Sequence, residues 1–289
     1  MGVTGKAVRR CPKLVPHFDW STNSLAPAKE SSEICLYQQR SRAAGPHTFR
    51  VKLVRAQTAR RFSHTAMAQA AAYDVYVKGS PEKNELGDCP FSHRVMLTLE
   101  EKQVPYHKNL LDEKKMPDWI EEKFGKKQIP FIQIKETGEW MLDSDKIVPF
   151  LEEKHPQPKL GTPDTCPQLA QDLFPTAFME FLKSSGSEQK EKEAALVAQL
   201  KEINDFLEKN GPYIGGQNVC AADMQKAPQL YHIKVGTKAI KDWEWPAEFT
   251  ALSAYLQRMM ERPSWKHTYY TEKYVADGWK LKLKEQSEQ

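Results

Sequence analysis

The 289-residue chain lacks any run of about 18 or more apolar residues, the length a helix needs to cross a bilayer, so no conventional membrane span is expected. It lacks internal repeats and long low-complexity tracts. Cysteine is scarce: Cys11, Cys35, Cys89, Cys166 and Cys220 are widely scattered and odd in number. That pattern makes neither a disulfide framework nor a zinc-ligand cluster, and it suits a reducing compartment. Acidic residues are nearly missing from the first 70 positions, where 12 Lys and Arg face only Asp19, Glu30 and Glu33. The remainder holds 30 basic and 35 acidic residues, so the formal charge of +4 belongs to the leader and not to the body. Nucleic-acid binding therefore has no electrostatic support.

Residues 1–70 are rich in Arg, Ser and Ala and include Ala56-Gln57-Thr58-Ala59-Arg60-Arg61-Phe62-Ser63. No compact apolar core follows a charged start, which argues against a secretory signal. The composition fits an organellar transit peptide, with a disordered basic arm as the bland alternative. Composition does not separate chloroplast from mitochondrion.

From Tyr73 the pattern changes to that of a folded protein with 40% apolar residues overall. Tyr73–Lys78 reads as a strand, Gly79–Asp88 as a polar loop, and Cys89–Lys102 as a helix with Pro90 at its first position and Phe91, Val95 and Leu99 on one stripe. A strand at Tyr106–Leu111, a short helix at Pro117–Phe124, strands at Pro130–Lys135 and Glu139–Leu142, and a helix at Ser144–Lys154 complete a β-α-β-α-β-β-α unit over residues 73–155. The Pro- and Gly-rich stretch 156–163 reads as a linker. Residues 164–289 show helices only, with candidates at Cys166–Lys183, Glu188–Asn210, Ala221–Val235, Ala247–Glu261 and beyond Ser264. The fold class is α/β followed by all-α.

Cys89 stands where a loop turns into a helix. Free N–H groups and the macrodipole stabilise an anion there, and they can bring a thiol down from about 8.5 into a range of about 3.5–7.5. Cys89-Pro90-Phe91-Ser92 has the form of a Cys-x-x-Cys motif whose second Cys is Ser92, so no disulfide can close over that short loop. An oxidised Cys89 must be resolved by an outside thiol, which points to a monothiol mechanism with glutathione. A lone buried Cys is often inert, but the Cys-Pro junction favours chemistry. Asp88 is either a helix cap or a group that orients substrate, and Lys78 either supplies positive charge or is simply solvated. Ile129-Pro130 precedes a strand, where a thioredoxin-like topology places a cis-proline facing the Cys, with backbone groups ready to pair with an extended peptide. Asp143-Ser144 opens the next helix, as a simple cap or as a seat for a carboxylate.

Leu86-Gly87-Asp88-Cys89-Pro90-Phe91-Ser92-His93-Arg94-Val95, with Asp143-Ser144-Asp145, Leu151-Glu152-Glu153-Lys154-His155-Pro156, Ala227-Pro228-Gln229-Leu230-Tyr231-His232 and Ala276-Asp277-Gly278-Trp279, resembles the plant and algal dehydroascorbate reductases over about residues 74–283. Cys-Pro-Phe-Ser alone is shared with omega-class glutathione transferases and chloride intracellular channel proteins. The resemblance implies a glutathione-transferase fold, with a thioredoxin-like domain and a helical domain. It implies reduction of dehydroascorbate with glutathione as co-substrate, no bound cofactor or metal, a monomer, and a stromal location, with mitochondrion or cytosol as alternatives. By the same resemblance Cys89 is the nucleophile. Lys78 and Asp88 contact substrate and glutathione, Ile129 before Pro130 pairs with backbone, and Asp143 and Ser144 meet the γ-glutamyl group. His232 and Trp279 approach from the helical domain. A glutathione-binding lysine of the family falls at Met116, with Lys114 and Lys115 as nearby substitutes, Lys115 being the one carried forward. Cys220 takes the place of the usual Ser or Thr cap before Asp223. An omega-like thioltransferase is the runner-up. A membrane-associating relative is disfavoured because His93, Arg94, Glu100, Glu101 and Lys102 charge the first helix.

Overall fold

Alternation along Tyr73–Ser80 organises the first half of the folded unit. Tyr73, Val75 and Val77 are buried on one face of this strand, β1, while Asp74, Tyr76 and Lys78 point the other way. The structure, a computed structural model, describes residues 70–161, 173 and 177–288, with a short antiparallel pair at Phe18–Asp19 and Ser24–Leu25. The chain divides into two units, Met1–Ser63 and His64–Gln289, and the elements numbered below all belong to the second. The rest of the leader, and with it Cys11, Cys35 and also Cys166, lies outside the described residues.

β1 is the centre of the sheet. It pairs in parallel with β3 (Tyr106–Leu111), from Tyr73 opposite Tyr106 to Lys78 opposite Leu111. It pairs antiparallel with β4 (Phe131–Ile134), and β4 pairs with β5 (Trp140–Leu142). The stretch expected to be a plain loop after β1 folds back on it instead: β2, Glu85–Leu86, pairs with Ser80 and Gly79 through a turn in which Asn84 takes a φ of 52°. Asn tolerates that left-handed backbone better than most residues. The short helix α2 (Asp118–Phe124) covers the outer face, where Tyr76 stacks on Phe131 at 4.5 Å and Trp119 and Trp140 crowd round them.

The inner face carries α1, Pro90–Glu101, and α3, Ser144–Lys154. α1 is more enclosed than its apolar stripe implies. Ser92, His93, Met96, Leu97 and Thr98 are buried along with Val95 and Leu99, because α3, α6 (Ala221–Lys241) and α8 (Pro263–His267) also pack on this helix. Beyond α3 the chain is pinned by Lys102, whose fully buried ammonium reaches Glu152 at 2.6 Å and the carbonyls of His155 and Pro158 at 2.7 and 3.0 Å. A buried charge with three oxygen partners is well satisfied, so the stretch after α3 is tied to the sheet domain and not left loose.

The other described helices are α4 (Ala177–Lys183), α5 (Gln189–Asn210), α7 (Thr250–Glu261) and α9 (Glu272–Ser287). The start expected for α4 at Cys166 lies outside the described residues. α6 runs past its expected end at Val235 to Lys241, and the expected last helix is two, α8 and α9. α6 is the buried axis of this half, and its start is locked by Asp223. That buried carboxylate accepts from the N–H groups of Ile214, Gly215 and Cys220 at 2.8, 3.2 and 2.7 Å, a structural role.

α1 is joined to the helical half through His93. Thr268 Oγ1 donates to the Ser264 carbonyl at 2.8 Å, so His93 Nε2–H donates to Thr268 at 2.9 Å. The ring lies edge-on to Trp265, with centroids 4.4 Å apart. Burial drives the His93 pKa down to about 3. A base with a depressed folded pKa binds fewer protons folded than unfolded. Its stability contribution is complete above the ordinary value near 6.5 and is lost as pH falls towards 3. Replacing His93 by Gln is expected to flatten the slope of unfolding free energy between pH 6 and pH 4 by about 1.4 kcal/mol per pH unit. Urea titrations at stepped pH measure it, and parallel slopes for both proteins would contradict it.

Candidate active site

The end of β1, the start of α1 and the face of α9 converge on Cys89. This residue caps α1 from extended backbone (φ −98°, ψ 111°), and its Sγ accepts the Ser92 N–H at 3.4 Å. Pro90 has no N–H to leave unpaired at this first helical position, and the amides of Phe91 and Ser92 face the sulfur. Ser92, in the place of a resolving Cys, is buried and its Oγ accepts the Lys78 N–H at 3.4 Å, which ties α1 to β1. Lys78 Nζ reaches Asp88 at 3.0 Å and Glu113 at 2.5 Å. These carboxylates hold its pKa above the ordinary value against the lowering by burial, so the ammonium stays charged.

The thiol itself departs from expectation. Burial pushes the Cys89 pKa up, and this outweighs the lowering by Ser92, Lys78 and the Phe91 N–H. A half-buried cap is not the same as a cap in water: the desolvation cost of the anion exceeds what the helix start returns. Cys89 therefore rests as a thiol, and the donors around it mark where an anionic sulfur is held once its proton leaves. Cys220, the other free cysteine described, is buried and pushed up to about 12 by burial and by Asp223, which leaves it inert.

A cleft of about 660 Å³ opens over Cys89, with Lys78, Asp88, Ile129, His232 and Trp279 among its walls. Of the residues expected at the site, these six are brought together. The Ile129-Pro130 bond is cis, and the backbone groups of Ile129 make no hydrogen bond to any described residue. Pro130 is buried and its carbonyl accepts from Asp143 N at 3.2 Å. Asp143 has a φ of 86°, an uncommon backbone for a residue with a Cβ, and caps α3 by accepting from Asp145 N at 3.0 Å. Ser144 is buried and accepts from Arg94 Nη1 at 3.5 Å. Pro130, Asp143 and Ser144 are not part of the cleft wall. Neither is Lys115: Lys114 and Met116 are. Glu113–Lys115 form a single 3₁₀ turn, in which successive side chains diverge by about a third of a circle, so the two neighbouring lysines cannot share a direction.

His232 and Trp279 meet each other. Indole nitrogen can only donate, so the 3.2 Å contact from Trp279 Nε1 makes His232 Nδ1 the acceptor. The ring proton then sits on Nε2 and is donated to the Tyr270 hydroxyl at 3.0 Å. Burial, helped by His93, Lys78 and Lys282, lowers the His232 pKa to about 3, which keeps the ring neutral. The two side chains thus form a rigid, uncharged wall.

Tyr270, Glu113 and Gly278 join the site without having been expected there. Nothing in the spacing of the first two marks them. Gly278 is visible in the sequence only as part of a motif, and the structure supplies its reason. A Cβ there would lie 1.8 Å from Asp88 Oδ2, so α9 can approach Asp88 only where it has no side chain. Among the described residues, no group of His, Cys, Asp and Glu is placed to hold a metal ion, and no helix is long and apolar enough to cross a membrane.

Residues 88–154 match the family model described as the glutathione S-transferase N-terminal domain. "Glutathione S-transferase DHAR2" of Arabidopsis thaliana is 37% identical over 216 residues, covering 73% of this chain and 99% of that protein. The chain belongs to the dehydroascorbate reductase family of glutathione transferases. "Glutathione S-transferase DHAR3, chloroplastic" of the same plant is 36% identical over 220 residues, 76% of this chain and 84% of that protein. Of solved structures, the dehydroascorbate reductase of Chlamydomonas reinhardtii is 40% identical with a TM-score of 0.67, covering 73% of this chain and 98% of that one. The glutathione-transferase fold, a thioredoxin-like sheet domain with a helical C-terminal domain, is thereby shared with this family.

Gly278→Ala is expected to fold but to push Asp88 off Lys78 and to lower any activity of the cleft at least tenfold. The melting temperature and the turnover of the purified variant, measured side by side, check this. Full activity would mean that the Asp88 position is irrelevant.

Proposed function

We propose that the protein reduces dehydroascorbate to ascorbate with two molecules of glutathione through Cys89. The observation that carries this reading is the helix-capping thiol at the floor of the cleft, flanked by Lys78 and Asp88 and followed by Ser92 where a second Cys would close a disulfide. The 40% identity to the Chlamydomonas enzyme supplies the substrate. Cys89 gives two electrons to dehydroascorbate, which takes up two protons, and water supplies the oxygen of a sulfenic acid on the sulfur. One glutathione thiol displaces that oxygen as water and leaves a mixed disulfide. A second attacks the glutathione sulfur of that disulfide, releasing oxidised glutathione and the Cys89 thiol.

Lys78 and Asp88 orient the two substrates in turn. The open backbone of Ile129 pairs with that of glutathione, and His232 with Trp279 limits the depth of the cleft. Asp143 and Ser144, away from the cleft wall, are assigned to the γ-glutamyl end by resemblance alone. Residues from the sheet domain and the helical half of a single chain complete the cleft, which supports action as a monomer. The basic leader, together with a relative named chloroplastic, supports import into the chloroplast stroma.

The body without residues 1–70 is expected to form ascorbate from dehydroascorbate and glutathione well above the uncatalysed rate, followed by ultraviolet absorbance. Cys89→Ser is expected to abolish turnover and to leave the melting temperature within a few degrees. A wild-type rate no faster than buffer sinks the reading, and turnover surviving in Cys89→Ser removes the thiol from it. Residues 1–70 fused to a fluorescent protein are expected to carry it into chloroplasts of plant cells; cytosolic or mitochondrial fluorescence would overturn the stromal assignment.

A further inference from the structure

Four lysines line the cleft, and each already has a partner. Lys127 pairs with Asp118 at 2.6 Å, Lys114 with Glu285 at 3.8 Å, and Lys282 lies 5.1 Å from the centre of the Trp279 ring. Lys78, the one beside Cys89, is held from both sides. Asp88 grips it from the protein side with a side chain only 12% exposed, and Glu113 from the cleft side with one that is 55% exposed. The two carboxylates are not equivalent. Asp88 is largely buried and backed by Gly278 of α9, where a Cβ would collide with it, so it is less free to turn away from Lys78 than Glu113 is. Glu113 sits on a three-residue turn and lines the cleft mouth next to Met116. An exposed pair of this kind is worth little and is easily exchanged for water or another anion.

We propose that Glu113 is a built-in competitor for the anionic co-substrate. Its carboxylate occupies the ammonium of Lys78 in the free protein, and a carboxylate of glutathione takes its place on docking. This rests on the reading of the cleft as a glutathione site and adds a residue that sets its affinity. The ligand exchanges one ion pair for another at Lys78, so little of its charge is expressed as binding energy. Asp88 stays on Lys78 throughout and keeps the ammonium beside the sulfur. Dehydroascorbate has no carboxylate to displace Glu113, so the competition bears on the thiol substrate and not on the acceptor.

The test uses S-methylglutathione and calorimetry, with Cys89→Ser as the parent so that no turnover occurs. Glu113→Gln is expected to tighten binding about threefold, the scale of one exposed ion pair. Glu285→Gln, a carboxylate on the same cleft but not on Lys78, is expected to do less. In a Lys78→Met background the effect of Glu113→Gln is expected to vanish, which separates displacement from a general change of charge. With active enzyme, Glu113→Gln is expected to lower KM for glutathione and to leave KM for dehydroascorbate unchanged. Unchanged or weaker binding in Glu113→Gln, or a gain that persists without Lys78, would overturn the competition while leaving the glutathione site in place. No binding of S-methylglutathione by the parent would overturn the site itself.

Discussion

The hydrogen bond from Ser92 N–H to the Cys89 sulfur is where the two halves of the molecule acquire a common purpose. It exists because α1 starts at Pro90, directly behind the cysteine, and because α1 is clamped on every side. The sheet holds it through Lys78 N–H on Ser92, and the helical half holds it through His93 on Thr268 and through the bidentate pair of Arg262 with Glu101 at 2.7 and 2.6 Å. A helix so enclosed cannot shift its first turn without disturbing several buried partners, and the sulfur inherits that rigidity.

Enclosure also has a cost to the chemistry. The same packing that positions Cys89 raises its pKa, since an anion is expensive where neighbours strip away part of its water. The nearest compensating charge, Lys78, is shared with Asp88 and Glu113 and so is partly neutralised. The surroundings of the sulfur therefore set one ammonium against two carboxylates and are poorly disposed to hold a free thiolate.

The helical half contributes shape more than charge. Asp223, although ionisable and fully buried, accepts three backbone N–H groups and organises the entry to α6. His232 is neutral and points its proton at Tyr270, and Trp279 points its own at His232. Residues that look like separate ligand contacts in the sequence are one hydrogen-bonded wall, because each can satisfy the other in a place where water cannot.

Local pattern determined much of this protein. The β-branched and aromatic residues of Tyr73–Lys78 specify a strand, which the structure extends to Ser80, Pro90 after Cys89 specifies where a helix starts, and Ser92 excludes a disulfide closed within that turn; each statement involves residues close in the chain, so sequence alone suffices. The hairpin at Glu85–Leu86 and the extension of α6 were not legible, because two paired residues carry no periodic signal, and Gly236 and Thr237, weak helix formers just past the expected end, are kept helical by burial against neighbours. Only the tertiary structure decided that Lys114 and not Lys115 lines the cleft, that Glu113 shares Lys78 with Asp88, that Gly278 makes room for Asp88, and that burial outweighs the helix start at Cys89. Those outcomes depend on distances between residues far apart in the chain and on the exclusion of water, and neither is a property of any one segment.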